Sequence, residues 1–263
     1  MTVKAITFDL DDTLWPLKPT LKRAEIETYQ WLSENANAIT DKYSLRDIAE
    51  FRFQLFSDNQ EFQNQISKVR IATIKQLALL SDFSEQAATE LAEQSFQVHY
   101  QLRQQVNCYE GVEELLHSLS DNYILGAISN GNADVSRTRI GQFFSFALSA
   151  EQLNSSKPDS VIFNSALTHI EEQLGQSISA EQVIHVGDDF HCDVVGAKRA
   201  NFKAIWLDDQ KTAAQNEALA KQLKRHTNPD TVDAKKAKEN IKADAVIGDI
   251  KELPEALAIV LAN

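Results

Sequence analysis

Phe8-Asp9-Leu10-Asp11-Asp12-Thr13-Leu14-Trp15 follows directly on the apolar run Val3 to Thr7, and how this stretch is read decides the fold. The run is mostly apolar and alternates poorly, as a strand buried on both faces of a parallel sheet does. Side chains alternate between the faces of a strand, so Asp9 and Asp11 point the same way where the strand runs out. Two acids aimed together repel, and each tends to keep its proton unless a cation or a proton-sharing task relieves the repulsion. Acid-rich strand ends are also ordinary turns, because Asp hydrogen-bonds its own backbone, and the pair alone leaves that reading open.

From about Pro16 to Val106 the sequence has no glycine, and its apolar residues recur at helical spacing. Phe62, Ile66, Val69, Thr73, Leu77 and Leu80 form one such stripe; Ala87, Leu91, Ser95, Val98 and Leu102 form another. Ser44 with Asp47 resembles a capping box, and Thr20 and Ser84 mark further helix starts. These signals predict a helical bundle over residues 16–106, inserted into an α/β core made of residues 1–15 and 107–263.

Glycine returns at Gly111, and strand and helix then alternate. A helix from about Val112 to Leu119 leads to a strand, Tyr123 to Ile128, and to the polar corner Ser129-Asn130-Gly131-Asn132. A helix, the short strand Phe146 to Ser149 and the loop Asn154 to Asp159 come next, and a helix opens near Asp159. The strand Val183 to Val186 ends in Gly187-Asp188-Asp189-Phe190-His191-Cys192-Asp193; strands Lys203 to Leu207 and Ala245 to Ile247 and a helix from Glu252 to Leu261 complete the core. Such units predict a Rossmann-like parallel sheet with helices on both faces, and ligands bind at the carboxyl ends of its strands, where all these polar corners fall. The polar tract Asp208 to Lys242 reads as a solvated excursion of helix and loop.

A length of 263 residues is ample for such a core, and a net charge of -12 excludes a polyanion-binding face, so no nucleic-acid partner is expected. Cys108 and Cys192 lack the spacing of a zinc or redox site and fit a reduced compartment. No signal-peptide core or membrane span appears, which predicts a cytoplasmic monomer or homodimer with no membrane partner.

Four polar corners then stand together: Asp9 with Asp11 and Thr13; Ser129 with Asn130; Lys157; and Asp188 with Asp189 and Asp193. Phosphoryl transfer needs these types. A carboxylate can attack phosphorus and form an aspartyl phosphate, while Mg²⁺, a hard cation that prefers oxygen, neutralises acids and phosphate together. A hydroxyl, backbone N–H groups and a lysine hold the phosphoryl oxygens, and a second acid protonates the leaving oxygen and then activates water. Any one corner is also an ordinary turn, and His191 beside a filled carboxylate site reads as a surface residue.

In order and spacing, Asp9-Leu10-Asp11-Asp12-Thr13, Ser129, Lys157-Pro158 and Gly187-Asp188-Asp189 with Asp193 resemble the four motifs of the haloacid dehalogenase (HAD) superfamily. The helical insert resembles the cap of its subfamily I. The phrases Leu10 to Trp15, Ser129 to Ala133, Ser156 to Pro158 and His185 to Asp189 resemble the branch containing bacterial flavin mononucleotide (FMN) phosphatases. The resemblance implies Asp9 as nucleophile and metal ligand, and Asp11 as general acid and base that also binds metal through its backbone carbonyl. It further implies Ser129, with Asn130 beside it, and Lys157 on the phosphoryl group, Asp188 as third Mg²⁺ ligand, and Asp193 orienting water or Lys157; Asp189 varies within the family. Asp12 is expected to face away from the chemistry. The function implied is a Mg²⁺-dependent phosphatase of a small phosphorylated metabolite, with FMN the leading candidate. A phosphomutase or a non-catalytic binding protein on the same fold is the alternative. Dehalogenases of the family use no metal and lack the second acid, so Asp11 and Asp188 speak against that activity.

Overall fold

β1 (Ala5–Phe8) is buried along its whole length and lies between two parallel neighbours, β2 (Ile124–Ser129) and β4 (Val183–Gly187). A computed structural model describes residues 2–208 and 241–262, and within them β3 (Phe146–Ser149), β5 (Lys203–Leu207) and β6 (Ala245–Ile247) extend the sheet to the order β3-β2-β1-β4-β5-β6, every pair parallel. Alternation along β1 divides its side chains between two cores. Ile6 and Phe8 pack with Val112 and Leu116 of helix Val112–Ser120 and with Leu253 and Leu257 of helix Leu253–Ala262. Ala5, on the other face, shares a core with Ile162, Phe163 and Ala166 of helix Ser160–Leu174 and with Ala197 of the turn Gly196–Arg199. The expected Rossmann-like layers are therefore present.

The insert is helical and has its own core. Numbered in chain order, α1 (Leu17–Asn35), α2 (Asn37–Thr40), α3 (Leu45–Asp58), α4 (Ile66–Leu79) and α5 (Glu85–Arg103) bury Leu32, Ile39, Ile48, Ile74, Leu77 and Leu91 against one another. The capping box at Ser44 and Asp47 is formed, and Ser84 caps α5. Thr20 is not a helix start: α1 begins three residues earlier, and the Thr20 hydroxyl donates to the Pro16 carbonyl at 3.3 Å inside the first turn. The cap leaves the core after Trp15 and returns by Tyr109, whose N–H donates to Leu14 O at 2.9 Å, so its two ends lie side by side.

Two further expectations change. Between β2 and β3 there is no α-helix among the described residues, only the 3₁₀ turns Val135–Arg137 and Gly141–Phe143. Asp134 accepts from the Ser136 N–H and folds the chain back within three residues, which ends helical growth before a second turn. The last helix begins at Leu253, after a separate 3₁₀ turn Ile250–Glu252. Most of the polar excursion read at 208–242 lies outside the described residues.

Candidate active site

Because β1, β2 and β4 are adjacent and parallel, their carboxyl ends deliver Asp9, Ser129 and Asp188 to one place. Asp9 follows β1 directly and its N–H donates to Val186 O at 2.9 Å, which continues the ladder by one residue. The chain then turns sharply. Asp12 adopts a left-handed backbone, φ 59°, and Leu14 N–H donates to Leu10 O at 2.8 Å. The Asp12 side chain accepts from Leu17 N–H at 2.9 Å, so this acid caps the first turn of α1.

Lys157 is the centre of the buried charge. Its Nζ donates to Asp9 Oδ1 at 2.5 Å, to Asp193 Oδ1 at 2.7 Å and to the carbonyl of Ile128 at 2.8 Å, which uses all three ammonium protons. Burial opposes its charge, but Asp193 and Asp9 outweigh that and hold the ammonium above its ordinary value. Asn130 fixes the loop that carries it: the Asn130 amide accepts from Lys157 N–H at 2.8 Å and donates to Lys157 O at 3.0 Å. The side chain of Asn130 is thus engaged by the backbone of Lys157. Ser129, also buried, accepts from Gly131 N–H at 2.9 Å.

On the other side of Asp9, Thr13 Oγ1 lies 3.3 Å from Asp9 Oδ2 and 3.0 Å from Asp188 Oδ1. One hydroxyl therefore spans the two acids. Burial and then the repulsion of Asp193 and Asp11 push Asp9 up to about 7, against the pull of Lys157. Burial followed by the charges of Asp9 and Asp193 pushes Asp188 up to about 8. Asp193 goes the other way: burial is outweighed by Lys157 and His185, which hold it well below the ordinary carboxylate range.

Asp9, Asp188 and Asp193 offer oxygens within 4.8 Å of one another. Asp193 is the most heavily engaged of the three, its Oδ1 bonded to Lys157 and His185 and its Oδ2 accepting from the Asp189 N–H at 2.9 Å. Asp9 and Asp188 are two acids that burial drives toward the neutral form, and a divalent cation on oxygen ligands resolves that conflict. The donor set fits such a cation. Asp189 itself is exposed and accepts from Cys192 N–H at 2.7 Å, capping the turn Phe190–Val195; His191 is exposed as well.

Asp11 stands apart from this cluster, at the foot of the cap. Its Oδ1 accepts from Trp15 Nε1 at 2.8 Å, and the Nη2 of Arg103 lies 2.6 Å from Oδ1 and 2.5 Å from Oδ2. Trp15 is both fully buried packing and a donor to the site. A Cβ on Gly131 would come within 2.7 Å of Asp11 Oδ2 and 3.4 Å of Ser129 Oγ, so the hydroxyl and the acid face one patch of bare backbone. Behind Asp193, His185 accepts or donates through both ring nitrogens, Nε2 to Asp193 at 3.1 Å and Nδ1 to Thr7 Oγ1 at 2.9 Å. The sequence reading gave no role to His185, Thr7 or Trp206, whose Nε1 donates to Asp188 O at 2.9 Å. Polar residues at positions 7 and 185 of otherwise apolar paired strands were the available signal for two of them.

Asp11, Gly131 and Asn132 open onto a cleft of ≈ 440 Å³ that runs under the cap. Leu21, Phe53, Phe56 and Val69 form its apolar walls, and Arg52, Arg70 and Arg103 approach it. Glu25 Oε1 holds both cap arginines, at 2.7 Å from Arg52 and 2.8 Å from Arg70.

Residues 3–201 match the haloacid dehalogenase-like hydrolase family model, and residues 154–253 match a second HAD-hydrolase-like model. A 5-amino-6-(5-phospho-D-ribitylamino)uracil phosphatase of Escherichia coli, YigB, is 28% identical over 78% of this chain and 83% of its own. The glyceraldehyde 3-phosphate phosphatase of Methanothermobacter thermautotrophicus is 24% identical over 83% of this chain and 92% of its own. Among solved structures, a 2-haloacid dehalogenase from Pseudomonas syringae pv. tomato superposes with a TM-score of 0.79 at 32% identity, covering 98% of this chain and 99% of that one.

Proposed function

Since this chain belongs to the haloacid dehalogenase-like hydrolases, we propose that it is a Mg²⁺-dependent phosphomonoesterase that works through an aspartyl phosphate. The observation that carries this reading is the line Asp188, Thr13, Asp9, Lys157, in which Asp9 meets the Thr13 hydroxyl at one carboxylate oxygen and the lysine at the other. In the first step Asp9 forms the new O–P bond, the ester P–O bond breaks, and the leaving oxygen takes a proton from Asp11. Water then attacks phosphorus, gives its proton to Asp11 and releases phosphate and Asp9. Ser129 holds a phosphoryl oxygen, and the Lys157 ammonium, bonded to Asp9 Oδ1, balances the charge of the phosphoryl group that Asp9 receives. Asp9, Asp188 and the backbone carbonyl of Asp11 would hold Mg²⁺, which supplies neutralising charge to acids and phosphate.

For the substrate we favour a phosphorylated ribityl arm on a planar heterocycle. FMN and the compound in the name of the Escherichia coli relative share that arm, and the cleft supports it: apolar walls with two exposed phenylalanines suit a flat ring, and arginines suit its carbonyl oxygens.

The test is phosphate release, with Mg²⁺, from FMN, 5-amino-6-(5-phospho-D-ribitylamino)uracil, glyceraldehyde 3-phosphate, nucleotides and p-nitrophenyl phosphate. Hydrolysis that favours the two ribityl esters and disappears in Asp9→Asn is expected. No release from any ester, or halide release from a 2-haloacid, overturns the reading, and a phosphorylated product without free phosphate replaces it with a phosphomutase.

A further inference from the structure

We propose that Arg103 is a positioning residue: from the last turn of a cap helix it aims the proton-carrying carboxylate of Asp11, so that protonation of the leaving oxygen depends on the cap being seated. This rests on the phosphomonoesterase reading above and adds to it a residue from outside the four motifs.

Asp11 is held on three sides. Arg103 Nη2 contacts both carboxylate oxygens, at 2.6 and 2.5 Å, Trp15 Nε1 fixes Oδ1 at 2.8 Å, and Gly131 leaves room on the Oδ2 side that a single Cβ would fill to 2.7 Å. The Arg103 side chain is 1% exposed and that of Asp11 14%, and the pair lies at the edge of the cleft. A free Asp carboxylate rotates about two bonds; these contacts select one setting.

The alternative is a buried ion pair that only joins cap to core. Two observations weigh against it. The Nη1 of Arg103 is buried without a hydrogen-bond partner among the described residues, an arrangement that costs stability, whereas a pair kept for stability would satisfy both ends of the fork. The joint is also made elsewhere by plain hydrogen bonds: Ser67 Oγ donates to Glu151 Oε2 at 2.7 Å, Asn132 Nδ2 to Ser67 Oγ at 3.2 Å, and Asp134 N–H to Gln104 Oε1 at 2.7 Å. Gln104 is the next residue after Arg103, so this last bond ties the seating of the cap to the place of the guanidinium.

A residue that acts through the general acid has a signature that a structural residue lacks. p-Nitrophenolate departs without a proton, while phenolate is a poorer leaving group and needs one. The experiment is single-turnover release of the alcohol from p-nitrophenyl phosphate and from phenyl phosphate, with Mg²⁺, by wild type and Arg103→Gln. Phenol release is expected to fall at least about 10-fold more than p-nitrophenol release, with Arg103→Lys in between and Arg103→Gln adding no further loss in an Asp11→Asn background. Should Arg103→Gln not fold, Trp15→Phe, which removes the other donor and keeps a ring, carries the same asymmetry on a smaller scale. Equal losses on both esters, or additive losses in the double variant, overturn the proposal. A wild-type protein that releases neither alcohol defeats the phosphomonoesterase reading itself, a result distinct from an active wild type without the asymmetry.

Discussion

Lys157 Nζ and Asp193 Oδ1 are 2.7 Å apart, and each side chain is only 2% exposed, so the ammonium that faces Asp9 is fixed from behind by a buried acid. Asp193→Asn removes that charge and one of two acceptor oxygens, so the amide cannot serve Lys157 and His185 on one side and the Asp189 N–H on the other together. Breaking such a buried pair costs roughly 3 kcal/mol. Thermal denaturation is expected to show a markedly lower Tm together with reduced turnover; a Tm within a degree of wild type contradicts the assignment.

The acids on the other side of Asp9 give the opposite pH dependence. Asp9 and Asp188, raised from an ordinary 3.8 to about 7 and about 8, bind protons more tightly folded than unfolded. Their contribution is fully present below about pH 4 and is lost as pH rises through 7 to 8. In EDTA this contribution to stability therefore falls between pH 4 and 8, and the rise in Tm on adding Mg²⁺ grows over the same interval. Melting curves with and without Mg²⁺ across that range measure it, and a Mg²⁺ effect independent of pH would count against the two acids as ligands.

Gly131→Ala tests the bare backbone between Ser129 and Asp11. The new Cβ, 2.7 Å from Asp11 Oδ2, must push the carboxylate aside. Misplacement on the order of an ångström reduces rates about 100-fold. Steady-state kinetics should give that loss in kcat with far-UV circular dichroism unchanged.

Phe53 and Phe56, 38% and 40% exposed, stand over the cleft as large apolar surface left open. Phe56→Ala is expected to raise KM for a flavin-type ester about 10-fold, the loss of one ring contact of roughly 1.4 kcal/mol, and to leave p-nitrophenyl phosphate turnover unchanged. An equal effect on both esters would take the ring out of substrate recognition.

The sheet and the acid cluster were legible because each depends on local signals. An apolar run followed by two acids, and three later polar corners at strand ends, need only strand alternation and the crossover rule to be brought together. Contacts between distant elements were not legible in the same way. Arg103 lies 92 residues from Asp11, and nothing in the spacing of the cap arginines says which one turns inward. The buried face of α5 does contain a hint: Ser95, His99 and Arg103 recur every four residues among its buried positions, and polar groups on an inner stripe call for partners. The stripe read from the sequence, Ala87, Leu91, Ser95, Val98 and Leu102, meets the buried face at Leu91, Ser95 and Leu102 and misses His99 and Arg103. The missing helix after Asn132 failed for a different reason, since Asp134 offers the backbone a closed turn that competes with helix growth.

The hydrogen bond between Tyr109 N–H and Leu14 O, 2.9 Å long, joins the strand of chain that enters the cap to the one that leaves it. An insert whose ends already touch adds almost no closure entropy to the core, whatever its length. The cap is in this sense a cassette. Its length can change without disturbing the parallel ladder of the sheet, which pairs no residue of the cap. Exchanging the cap would have to remake the guanidinium contact on Asp11 together with the hydrogen bonds that Ser67 and Gln104 make to the core.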